Sequence, residues 1–194
     1  MPAYRLDQEP WIPVVTVSGN CTEMSLLDVI VRSAEIRRVA GNPLEAAALM
    51  RLLMAIAHAV RQPADPYEWL DIWNDRKRLI EDMADHVRSN AGCFDLYNDR
   101  KPFAQNAALP QPQPKDNTPA RIIYDRARGN NPVFLDHSVD ALPQPVPSSV
   151  AARALLVLHS FGGSGTGGLN PLNGGKKDQM LAGPLCARTI ALLE

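Results

Sequence analysis

The spacing of apolar and polar residues changes several times along the chain, and each change marks an element. Val14 to Val17 and Thr22 to Met24 are short β-prone runs on either side of Ser18-Gly19-Asn20, which predicts a hairpin. Ser25 stands directly before Leu26-Leu27-Asp28 and predicts a capped helix to about Ser33. The strongest helical pattern runs from Pro43 to Val60. Asn42 is placed to cap it, Pro43 suits the first turn, and Glu45 stands three residues after the cap, where a capping box needs it. Leu49, Leu52, Leu53, Ile56 and Val60 share one face and Met50 and Met54 widen it, so this helix is expected to be mostly buried, with His58 at its core or edge.

Further helices are predicted from Pro66 to about Asn74, from Arg78 to about Asn90 and from Ser148 to His159. The last has Val150, Ala154, Leu155 and Leu158 at core spacing. Gly92 and a short strand at Cys93 to Tyr97 follow the second of these. Nine of the seventeen prolines lie between Pro102 and Pro147, which forbids a continuous helix or a central strand and leaves one long irregular excursion. A second irregular stretch, rich in glycine, runs from Phe161 to Gly183. The expected fold is α+β, a single globular domain of several helices around small, mostly antiparallel sheets with two long irregular loops. A doubly wound sheet is disfavoured because the strands are few and do not alternate regularly with helices. Pro184 to Glu194 stops in mid-pattern without a cap or polar tail, so the chain is expected to be a fragment of something longer.

Length and composition, 194 residues with 45% hydrophobic content, suit one domain with its own core. Arg51, His58 and Arg153 interrupt the longest apolar runs, so no transmembrane segment is expected. Met1 to Glu9 lacks an apolar region, so no secretory signal is expected and the cytoplasm is the default location. Cys21, Cys93 and Cys186 are odd in number and far apart, which argues against a disulfide framework or a zinc site; reduced thiols are expected, two or more of them buried. A net charge of -1 gives no global attraction for phosphate, so any role with nucleic acid must rest on local patches or on a partner.

Gly163, Gly165 and Gly168 satisfy G-x-G-x-x-G, but a dinucleotide site requires a strand before that motif, and here a predicted helix precedes it. Gly174-Gly175-Lys176-Lys177 resembles the end of a phosphate-binding loop but lacks its Ser/Thr. A nucleotide-binding enzyme using residues 162–168 and Lys176 is therefore the alternative reading. The less demanding one is that glycine amides approach a nucleic-acid groove directly, with Lys176 and Lys177 adding charge. The four histidines, His58, His86, His137 and His159, have no metal-ligand spacing, and Asp136-His137 has no nucleophile motif beside it, so neither a metal nor a cofactor is expected. Arg121, Arg126 and Arg128 precede Gly129-Asn130-Asn131-Pro132 and Phe134, which combines phosphate donors, amides and a stacking ring in one candidate nucleic-acid loop. Asp75-Arg76-Lys77-Arg78 reads as a solvated helix junction.

Four segments in fixed order resemble the N-terminal domain of the CasA family, the large subunit of the type I-E CRISPR Cascade complex. They are Glu9-Pro10-Trp11-Ile12-Pro13-Val14; Phe94-Asp95-Leu96-Tyr97 with Pro102-Phe103-Ala104-Gln105; Gly129 to His137; and the helix into Phe161-Gly162-Gly163. The resemblance covers essentially the whole chain, as an N-terminal domain over residues 1–194 without the family's C-terminal helical bundle. It implies a non-catalytic subunit whose partners are the other Cascade subunits, the 5′ end of the guide RNA, double-stranded target DNA and a helicase-nuclease. The turn Ser160, Phe161, Gly162, Gly163 resembles the family's glycine loop, which reads the target-adjacent motif from the minor groove; Ser160 stands where some relatives carry glycine. Arg128, Gly129, Asn130, Asn131, Phe134, Asp136 and His137 resemble the mobile loop that docks near the guide RNA, Phe134 matching its aromatic.

Overall fold

The structure is a computed structural model that describes residues 3–105, 123 and 145–161. Its first elements are the hairpin strands β1 (Ile12–Thr16) and β2 (Cys21–Met24), antiparallel with Ile12 opposite Met24 and Val15 opposite Cys21. Gly19 at φ 89° turns the chain between them. A third strand, β3 (Ile36–Val39), pairs antiparallel with the other edge of β1, giving the order β2-β1-β3. The pattern of apolar positions did not disclose β3, because only its ends, Ile36 and Val39, are half-buried and Arg37 and Arg38 face solvent.

Helix α1 (Leu26–Val31) begins where Ser25 Oγ accepts the Asp28 amide at 3.1 Å. Helix α2 (Pro43–Val60) carries the full capping box: Asn42 Oδ1 accepts from the Glu45 amide at 2.9 Å, and Glu45 Oε2 accepts from the Asn42 amide. Its core face is Ala48, Leu49, Leu52 and Ile56. Met50 and Met54 do not widen that face; they are 47% and 56% exposed, and His58 is exposed as well, so the helix is one-sided and not mostly buried. By length and composition α2 is also apolar enough to cross a membrane, contrary to the expectation from its charges. Its buried face nonetheless packs against two other helices of the domain.

Helix α3 (Pro66–Asn74) and helix α4 (Arg76–Ser89) meet at Asp75, and Arg76, Lys77 and Arg78 are exposed, as the solvated-junction reading requires. The strand expected at Cys93 to Tyr97 is a 3-10 turn, Ala91–Phe94, followed by a single antiparallel bridge between Arg5 and Asp95. Helix α5 (Ser148–Phe161) runs two residues further than expected, since no helix breaker comes before Gly162. Its buried residues are Ala152, Ala154, Leu156 and Val157; Val150 and Leu155 are only partly covered and Leu158 is 38% exposed. Cys21 is exposed and Cys93 half-buried, both free, which corrects the expectation of two or more buried thiols.

The architecture is thus α+β: helices α1, α2, α4 and α5 share one core with the inner face of the small antiparallel sheet. Trp11 and Phe94 are the largest side chains fully enclosed by it.

Candidate nucleic-acid interface

The end of α5 is where the candidate glycine loop begins, so what holds α5 determines how that loop is presented. Among the described residues, side-chain hydrogen bonds from three of its residues hold it, in addition to its core packing. At its start, Ser148 Oγ shares a hydrogen bond of 2.9 Å with the Tyr97 hydroxyl. In its first half, Arg153, with a side chain only 11% exposed, donates through Nη1 to the Trp11 carbonyl at 2.7 Å and to Glu23 Oε1 at 2.8 Å. Arg153 Nε reaches Glu45 Oε1 at 3.4 Å. One guanidinium therefore joins α5 to the residue just before β1, to β2 and to the glutamate of the α2 capping box, the kind of forked contact that lysine cannot reproduce. Sequence reasoning missed this role; the signal for it was a charged residue in the middle of an apolar helical run.

At the far end His159 Nε2 lies 2.6 Å from the Ala104 carbonyl oxygen. A carbonyl only accepts, so Nε2 carries the proton. His159 Nδ1 is buried with no hydrogen-bond partner among the described residues. Ala104 itself has φ 54°, the left-handed region that residues with a Cβ seldom occupy. It is held there by both neighbours. Phe103 is buried, with its amide on the Asp95 carbonyl at 2.8 Å, and Gln105 Nε2 donates to the Leu96 and Phe103 carbonyls at 2.9 and 3.3 Å. The Phe103 ring lies edge-on to Trp11 at 6.0 Å and beside Phe94 at 6.1 Å, and Trp11 Nε1 donates to the Leu6 carbonyl at 2.7 Å.

Three of the four segments that carried the family resemblance are thereby brought together: Trp11 of the first, Phe94 and Phe103 of the second, and the last turn of α5. Ser160, half-buried, and Phe161, 42% exposed, are the final residues of that helix and not part of a turn. Gly162, Gly163, Lys176 and Lys177, and the fourth segment with Arg128, Gly129, Asn130, Asn131, Phe134, Asp136 and His137, lie outside the described residues. Among the described residues no group of three His, Cys, Asp or Glu side chains is placed to hold a metal ion. A helix ending carries partial negative charge on its free carbonyls. The end of α5 is therefore not itself a phosphate cradle.

Fold and candidate interface together define an α+β domain whose last described helix is fixed at both ends to hand the chain on to a glycine-rich segment. The chain belongs to the family described as CRISPR-associated protein Cse1, whose family model matches residues 6–193. The CRISPR-associated protein CasA/Cse1 of Thermus thermophilus is 33% identical over 164 residues, covering 84% of this chain and 32% of the relative. The crystal structure of Thermobifida fusca Cse1 superposes with a TM-score of 0.68 at 30% identity, covering 82% of this chain and 30% of that one. A chain of a CRISPR RNA-guided surveillance complex has the same fold, with a TM-score of 0.73 at 24% identity over 86% of this chain and 36% of its own length. The chain spans about a third of the length of the relatives it matches.

Proposed function

We propose that this chain is the N-terminal domain of a non-catalytic, cytoplasmic subunit of a type I-E RNA-guided surveillance complex. In this reading it recognises the target-adjacent motif on double-stranded DNA and helps to recruit the helicase-nuclease. Motif reading is assigned to Gly162 and Gly163, with Ser160 and Phe161 as the supporting helix end and Lys176 and Lys177 adding charge. Docking to the other Cascade subunits and the 5′ end of the guide RNA is assigned to Arg128, Gly129, Asn130, Asn131, Phe134, Asp136 and His137. No residue is given a bond-breaking role.

The observation that carries this reading is the tie between His159 and Ala104, which fixes the helix three residues before Gly162. Backbone that presses into the shallow minor groove must arrive at a set depth and angle, since the groove offers few donors to correct a misplaced approach. The rival nucleotide site is disfavoured by the same helix: a dinucleotide fingerprint follows a strand, and this glycine-rich stretch follows α5.

The test is reconstitution of the complex with its remaining subunits and guide RNA. Gly162→Asp and Gly163→Asp are expected to lower target-DNA binding at least tenfold while leaving assembly intact. DNA binding unchanged by both substitutions would refute the assignment. A panel of adjacent trinucleotides should show several accepted motifs, because a backbone contact reads a degenerate groove.

A further inference from the structure

We draw no further inference here: the strongest candidate, the exposed apolar face of α3 formed by Trp69, Leu70 and Trp73, carries nothing because nothing in the structure shows what covers it.

Discussion

His159 donates its Nε2 proton to the carbonyl of Ala104 at 2.6 Å, so the last turn of α5 is tied to a residue whose own backbone is strained. Strain of about 1–2 kcal/mol at a left-handed alanine persists only when its surroundings over-determine it. Here Phe103, Gln105 and His159 all hold the same bend. The helix end and the bend thus fix one another, and the segment that leaves the helix starts from a defined point.

Replacing His159 by Ala removes a part-buried hydrogen bond and opens space beside the Ala104 carbonyl. A loss of about 1–3 kcal/mol is expected, read from urea unfolding, with faster amide exchange confined to the last turn of α5. His159→Gln keeps a donor within reach and should recover part of the loss. Equal destabilisation by Ala and Gln would show that ring packing, and not the hydrogen bond, holds the helix.

Arg153 presents the larger case. Arg153→Met keeps much of the side-chain volume but strips Glu23 and Glu45 of their shared cation and the Trp11 carbonyl of its donor. Glu45, at 17% side-chain exposure, is the more enclosed of the two acids and is least able to recruit water in compensation. The expected cost is about 2–4 kcal/mol in urea unfolding, with Arg153→Lys recovering only a minor part because a single ammonium cannot serve three acceptors set around a fork.

Which parts of this arrangement could be read beforehand follows from range. Asn42 with Glu45, and Ser25 with Asp28, act within one turn of helix, so their residue types announce them. Arg153 acts on Glu45 and Glu23 at separations of 108 and 130 residues, and no local pattern announces such a partner. Strand β3 was invisible for a related reason: four residues with two arginines in the middle become a strand only because the edge of β1 is there to pair with them. The face of α5 was read only in part: Ala154 is buried as expected, but apolar residues surround most of that helix, and small Ala152, not bulky Leu158, is what the core encloses. Of the candidate interface, the motifs were legible; the contacts that join them were not.

Gly41 and Gly19 allow a controlled comparison, since both have positive φ, 98° and 89°. Around Gly19 there is open space, so Gly19→Ala should cost only the backbone strain, about 1 kcal/mol. A Cβ on Gly41 would sit 2.6 Å from Glu45 Oε2 and 3.4 Å from Pro13. That oxygen belongs to the capping box, and the same carboxylate faces Arg153, so it cannot swing away without releasing one or the other. Gly41→Ala should therefore cost about 2–3 kcal/mol, strain and part of a cap together. Urea midpoints for the two variants measure the difference, and equal losses would mean that Glu45 yields freely.

The Tyr4 phenol sets an alkaline limit. Its hydroxyl donates to the Pro10 carbonyl at 2.8 Å, and burial, with Glu23 and then Glu9 adding negative charge, raises its pKa above the ordinary value of 10.0. The sign is fixed by linkage: the unfolded chain releases this proton first, so the native state binds more protons in the interval between the two values and stability falls with rising pH. The contribution is whole below pH 10 and disappears as pH climbs through the raised native value. Tyr4→Phe removes the ionisation altogether. Its urea midpoint should lie slightly below that of the parent chain at about pH 8, and the two curves should converge as pH is taken beyond 10, since only the parent chain pays for burying a phenolate. Parallel curves across that interval would mean that Tyr4 ionises equally easily in the folded and unfolded chains, and that the contact with Pro10 leaves the alkaline limit of the N-terminal segment unchanged.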